Sequence, residues 1–150
     1  MFSPRLILPD IAFKDSYADA LAEGLEGKIS KDTIDWVREE FWDWLRADQD
    51  MNRRIVLPDG RETPRVPSTD YWLVLGQQFL GRVSLRHKLS EYLEQKGGHI
   101  GYAVRPSARG HGYGHLLLKL VLPHDKTLGL DRALITCADR NTASLRIIEK

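Results

Sequence analysis

A glycine-rich turn between an apolar strand and an apolar helix constrains the fold of this chain most. The apolar run Ile100–Val104 predicts a buried strand, and apolar periodicity over residues 115–122 predicts a helix. Gly110, Gly112 and Gly114 lie between them or at the helix start. Such a turn lets unpaired backbone N–H groups converge at a helix N-terminus, without Cβ atoms to keep a ligand away. Because the positive end of the helix dipole adds to these groups, the segment predicts a site for an anion such as pyrophosphate.

The spacing of the glycines separates three kinds of phosphate-binding loop. A nucleoside-triphosphate loop requires a Lys-Ser/Thr pair directly after its last glycine, and this turn has none. A dinucleotide fingerprint requires Gly-x-Gly-x-x-Gly and an acidic residue that closes the next strand, whereas Asp131 precedes that predicted strand. The pattern that fits is Arg109-x-x-Gly112-x-Gly114. Arg105 and Arg109 can add charge-assisted hydrogen bonds to phosphate oxygens.

This pattern resembles the Arg/Gln-x-x-Gly-x-Gly/Ala signature of the GNAT N-acetyltransferase superfamily, which holds the pyrophosphate of acetyl-CoA. An independent second match is the Asn-Thr-Ala-Ser segment at 141–144, after the apolar strand 133–137. It is similar to the start of the superfamily's last helix, whose asparagine approaches the pantetheine arm. Further upstream, the similarity is to one little-characterised bacterial branch of predicted GNAT acetyltransferases. The segments that carry it are 57–60, 66–74, 81–87 and 97–102.

The resemblance implies one α/β domain over residues 1–150, with a mixed, mostly antiparallel twisted sheet flanked by helices. Periodicity predicts strands at 5–9, 71–75, 79–86, 100–104 and 132–137. It predicts helices at 13–25, 33–46, 112–124 and from Asn141, a short helical turn at 90–95 and a long connection over 51–70. In the helix at 33–46, an apolar stripe is formed by residues that recur at helical spacing: Ile34, Val37, Phe41, Trp44 and Leu45. The superfamily's usual closing hairpin is absent from this chain, which stops at Lys150. We therefore expect a homodimer through the exposed sheet edge, or marginal stability.

Acetyl-CoA binding is implied for the glycine turn, for the strand before it and for the start of the last helix. The residues are Ala103, Val104, Arg105, Arg109, Gly110, His111, Gly112, Tyr113, Gly114 and Asn141. In the superfamily the strand before the turn separates from its neighbour and exposes backbone N–H groups to the thioester carbonyl. Here the resemblance assigns that contact to Ala103 and Val104.

Acetyl transfer to an amine also needs a base and a proton donor. His99 begins the cofactor strand, and a histidine removes protons near neutral pH, so we interpret His99 as the base. The alternatives are His87, Glu91, Asp139 and a bound water. Many relatives carry a tyrosine seven residues after the helix asparagine, and here Ile148 occupies that position. Ser144 is the catalytic candidate near the leaving thiolate, and water is the alternative proton source.

Composition and the remaining motifs bear on whether the protein binds nucleic acid, a membrane or a metal, and on where in the cell it lies. A net charge of +1, from 22 basic and 21 acidic residues, does not favour nucleic-acid or membrane binding. The one cysteine, Cys137, excludes an internal disulfide and is expected to be a buried thiol. His111 and His115 stand one helical turn apart, but without a third ligand at metal spacing we expect no metal. No signal peptide or long apolar span is visible, so we expect a cytoplasmic protein.

The expected function is N-acetylation with acetyl-CoA as cosubstrate. The acetyl group would move to a primary amine of a small molecule or peptide, by direct attack in a ternary complex. The alternative is a non-catalytic acyl-CoA-binding or interaction domain, which Ile148 and the early end of the chain would favour. The sequence contains no recognisable motif for the acceptor.

Overall fold

The core of the structure is an antiparallel sheet with helices packed on its two faces. The computed structural model describes residues 3–50, 55–56, 60–63, 68–86 and 100–127. The strands are β1 (Arg5–Ile7), β2 (Ile55–Val56), β3 (Glu62–Thr63), β4 (Ser68–Leu75), β5 (Gln78–Arg86) and β6 (Ile100–Val104). The α-helices are α1 (Lys14–Glu23), α2 (Lys31–Glu39), α3 (Phe41–Asp48) and α4 (Tyr113–Thr127). Single 3₁₀ turns lie at Ile11–Phe13 and Pro106–Ala108.

The main sheet has the strand order β1-β4-β5-β6, and every neighbouring pair is antiparallel. A separate two-stranded ribbon joins β2 and β3. This architecture confirms the predicted α/β class with a mostly antiparallel sheet. The predicted helical turn at 90–95, the strand at 132–137 and the last helix from Asn141 lie outside the described residues.

Two hydrophobic cores form because side chains alternate across β4 and β5. Trp72 and Val74 pack with α1, α2 and α3, whereas Leu73 between them packs with α4. Tyr17 of α1 stacks on Trp72 with ring centroids 4.5 Å apart and meets Phe79 edge-on at 5.0 Å. The α4 core is aliphatic. Its fully buried members are Leu73, Val83, Leu85, Ile100, Leu117 and Val121.

The predicted helix over 33–46 is two helices, α2 and α3. Glu40 separates them with φ −138° and ψ 60°. Glutamate is a good helix former, so local propensity gives no sign of this break. The predicted apolar stripe nevertheless faces the core: Phe41 and Trp44 are buried, and the Phe41 ring contacts Trp72 of β4, whereas the Trp44 ring contacts Tyr17 of α1. The continuity of the helix was predicted wrongly, but its buried face was predicted correctly.

The segment predicted as a long connection contains short strands. β2 and β3 pair in it, and β4 begins at Ser68 rather than at residue 71. Gly60, with φ +87°, lies between the two paired segments. A two-residue strand is too short to show alternation, so periodicity does not detect it.

A β-bulge interrupts the pairing of β4 with β5 next to the glycine turn. Leu73 pairs with Gly81, but Val74 pairs with Phe79, which leaves Leu80 as an extra residue on β5. The bulge places Phe79 in the core with α1 and Leu80 in the core with α4. The end of β5 therefore supports both layers beside the place where β6 ends.

Candidate functional site

The glycine turn connects the end of β6 to the N-terminus of α4. After Val104, one 3₁₀ turn (Pro106–Ala108) leads to an exposed segment that ends at Gly112. Gly110 and Gly112 have φ values of +86° and +82°, in the left-handed region that favours glycine. The Leu116 N–H donates to the Gly112 carbonyl at 3.1 Å and closes the first turn of α4.

The N-terminus of α4 is suited to an anion. The helix has 15 residues, and its first turn contains no acidic side chain. Its first backbone N–H groups therefore have neither an intrahelical acceptor nor a local carboxylate that offsets the positive end of the dipole. His111 and Tyr113 flank this end, with ring centroids 5.8 Å apart.

The predicted cofactor-binding residues within the described part of the chain lie in one continuous stretch. They are Ala103, Val104, Arg105, Arg109, Gly110, His111, Gly112, Tyr113 and Gly114. His99, Asn141 and Ser144 lie outside the described residues, as do the alternatives His87, Glu91 and Asp139 and the position Ile148. The roles assigned to all of these residues stay predictions.

The ladder between β5 and β6 fixes which backbone amides of β6 face outward. The Arg105 N–H donates to the Leu80 carbonyl at 2.7 Å, and Ala103 pairs with Arg82. Because amides alternate in direction along a strand, Ala103 faces β5, whereas Val104 faces the opposite side. That side is the edge of the described sheet. Of the two predicted thioester contacts, the geometry favours Val104.

Arg109 and Arg105 differ in what surrounds their guanidinium groups. Arg109 is exposed, and its Nε donates to the Val104 carbonyl at 3.3 Å. Within the described part of the chain, no carboxylate forms an ion pair with it. Arg105 is 15% exposed, and its guanidinium contacts the Glu23 carboxylate with Nη2 2.6 Å from Oε2. Arg109 is therefore the better placed of the two for a phosphate, and the predicted phosphate contact of Arg105 stays a prediction.

Glu23 is a residue that the sequence interpretation missed. It occupies the last turn of α1, and the hydrogen bond from Arg105 lowers the pKa of its carboxyl to about 2, with a further contribution from Ser107. A signal for it exists in the sequence. An acidic side chain at a helix C-terminus is unfavourable toward the dipole, so such a residue points to a partner elsewhere.

The described residues contain no group of three or more His, Cys, Asp or Glu side chains that could hold a metal ion. Among the described helices, none has the length and apolar character needed to cross a membrane.

Comparison with known proteins agrees with this geometry. A family model described as an acetyltransferase (GNAT) domain matches residues 5–150, which is nearly the whole chain. A search of curated proteins finds no match. The family match includes the four-stranded antiparallel sheet, the glycine turn and α4. The chain therefore belongs to the GNAT acetyltransferase family.

Proposed function

We propose that this protein is an N-acetyltransferase that uses acetyl-CoA and acetylates a primary amine of a small molecule or peptide. The observation that carries the proposal is the N-terminus of α4. There, two left-handed glycines and an acid-free first turn present backbone N–H groups to an anion. Membership of the GNAT family makes the pyrophosphate of acetyl-CoA the natural ligand for this turn.

Each part of the stretch from Ala103 to Gly114 has a separate task in this proposal. Amides of the turn and of the first residues of α4 bind the pyrophosphate, and Arg109 adds a charged donor. The outward amide of Val104 donates a hydrogen bond to the thioester carbonyl at the end of the cofactor's pantetheine arm. Asn141 approaches the same arm from the last helix.

Acetyl-CoA would supply an activated thioester, and the protein's residues prepare its attack by the amine. His99, or a water held by one of the alternative groups, removes a proton so that the amine nitrogen is nucleophilic. The new bond joins this nitrogen to the acetyl carbon, the carbon–sulfur bond breaks, and the thiolate leaves. Ser144 or water donates the hydrogen bond or proton that the sulfur needs.

The binding part of the proposal is tested by calorimetry with CoA on Gly112→Val. The structure places no atom within 4 Å of a Cβ at Gly112, so any loss of affinity comes from backbone strain and from occupation of the anion site. Gly27→Val is a matched control, because Gly27 has φ +77° and equally open surroundings but precedes α2. Both variants carry left-handed strain of about 1–2 kcal/mol. We expect a loss of CoA affinity of at least tenfold for Gly112→Val alone, and unchanged affinity would remove the phosphate-site assignment.

Turnover separates the enzyme from the non-catalytic alternative. Wild-type protein is incubated with acetyl-CoA and a panel of primary amines, and free thiol is measured. Release of thiol that depends on one class of amine supports the transferase. CoA binding with no turnover on any amine or peptide would favour an acyl-CoA-binding domain.

A further inference from the structure

A charged network joins both ends of α1 to the start of the glycine turn. One oxygen of Glu23 accepts from Arg105 Nε at 2.7 Å, and the other accepts from the Ser107 N–H at 2.9 Å. On its far side, Arg105 Nη1 donates to Ser16 Oγ at 3.2 Å and to the Phe79 carbonyl at 3.3 Å. Ser16 Oγ also accepts from the Phe79 N–H at 2.8 Å. Helix α1, the bulged end of β5 and the turn are thus held together by the same few groups.

This network fixes the residues directly before the anion site. Arg105 and Ser107 are hydrogen-bonded to α1, and the Ala108 N–H donates to the Arg105 carbonyl at 2.8 Å. The following residues, Arg109 to Gly112, are exposed, and nothing lies within 4 Å of a Cβ at Gly110 or Gly112. Because the tip of the turn has so little packing around it, its conformation depends on how firmly its base is held.

The same contacts pair Arg105 with Glu23 of the protein itself rather than with a phosphate of the ligand. Its guanidinium is 15% exposed, and an ionised carboxylate already neutralises its charge. Moving it to a phosphate would leave Glu23 with a part-buried negative charge and would release the Ser16 and Phe79 contacts. Such a rearrangement removes charge-assisted hydrogen bonds that are stronger than neutral ones.

We propose that Glu23 is a positioning residue for the pyrophosphate of the cofactor. Through Arg105 and Ser107 it holds the turn in the conformation that binds the anion, without touching the ligand itself. The inference rests on the proposed function, because it presumes that the turn binds CoA. It goes beyond that function by assigning a role to a helix on the opposite face of the sheet from α4.

The test compares Glu23→Gln with the wild-type protein for two ligands, CoA and pantetheine. Pantetheine lacks the pyrophosphate and the nucleotide, and NMR titration can follow its weak binding. Residues that orient a binding group without touching the ligand typically cost about 10-fold to 100-fold in the well-measured case of metal sites. We expect CoA to bind about tenfold more weakly to Glu23→Gln, while pantetheine affinity stays within about twofold of wild type.

Two further variants isolate the role of the network. Asp19→Asn removes a carboxylate from the same helix, where Asp19 Oδ1 lies 2.5 Å from Arg38 Nη2 of α2, and should leave CoA affinity unchanged. Arg105→Lys keeps the positive charge but loses the guanidinium fork, so its CoA affinity should fall with the same selectivity. Thermal unfolding of each variant establishes that the protein is folded at the titration temperature.

Three results would overturn the inference. Unchanged CoA affinity in Glu23→Gln would mean that the network does not support the site. Tighter binding would mean that Glu23 restrains Arg105 from acting as a phosphate ligand. An equal loss for CoA and pantetheine would indicate general structural damage. A wild-type protein that binds no CoA would instead defeat the proposed function, so the two failures are distinguishable.

Discussion

Replacing Gly81 with alanine should force β5 and β6 apart beside the glycine turn. A Cβ at Gly81 would lie 2.8 Å from the Ala103 carbonyl oxygen, 3.2 Å from Leu117 Cδ1 and 3.3 Å from Val104 Cα. Two of these neighbours are backbone atoms of the adjacent strand, so relief requires β6 itself to move. Overpacking in a core costs about 1–3 kcal/mol, and the smaller freedom of alanine in the unfolded chain returns about 0.4–1 kcal/mol. We expect a net loss of about 1–2 kcal/mol in the free energy of unfolding.

Gly101→Ala is the matched control, because Gly101 lies on β6 of the same sheet. Its Cβ would meet the guanidinium of Arg86, with Nη2 at 3.0 Å and Nη1 at 3.4 Å. The end of a long side chain can move, so we expect a change within about 0.5 kcal/mol. Urea and thermal unfolding measure both variants, and for this size a loss of 1 kcal/mol lowers Tm by about 2–4 °C. Equal stability of the two variants would refute the argument that backbone contact at Gly81 sets the spacing of β5 and β6.

Two further predictions concern the catalytic base and the loss of folding stability at acidic pH. His99→Ala should lower turnover by about 10²–10⁴-fold with CoA affinity nearly unchanged, and wild-type turnover at every pH would transfer the role to an alternative group. The Arg105 hydrogen bond holds the folded pKa of Glu23 at about 2, below its usual 4.5, so its stabilisation is complete above pH 4.5 and lost as pH falls toward 2. This depression corresponds to at most about 3 kcal/mol, and solvent screening of a carboxylate that is 27% exposed reduces it to about 1–2 kcal/mol. Urea midpoints measured between pH 2 and 7 should therefore show a shallower acid decline for Glu23→Gln, and parallel curves would contradict the pairing.

Features that depend on neighbouring residues could be predicted from the sequence. The strand β6, the turn and the start of α4 follow from an apolar run, three glycines and helical periodicity, all within about 20 residues of one another. The buried stripe of α2 and α3 was predictable for the same reason. The family resemblance came from spacing within the turn, from the segment 141–144 and from four upstream segments, and it is confirmed by the family match.

Features that depend on distant residues could not be predicted. Arg105 was assigned to a phosphate because arginine near a glycine turn suits one. The acidic Glu23 at the end of a predicted helix points to a partner, but nothing in the sequence identifies that partner as Arg105, 82 positions later. The break at Glu40 likewise has no proline or glycine to announce it. The break lets α3 pack on the core, where its aromatic rings contact Tyr17 and Trp72. In each case the deciding interaction joins segments that are far apart along the chain.

The bulge at Leu80 makes this part of the chain intolerant of changes in length. Deleting Leu80 would leave Phe79 opposite Val74 in a regular ladder, but it would remove a side chain that is buried in the α4 core. The same deletion would remove the Leu80 carbonyl that receives the Arg105 N–H. Attempts to shorten or graft the β4–β5 hairpin must therefore cut on the solvent side of Phe79, at the Gly76 turn. Exchange of the Gly76 turn should leave cofactor binding intact, whereas an exchange that also replaces Phe79 and Leu80 should weaken it.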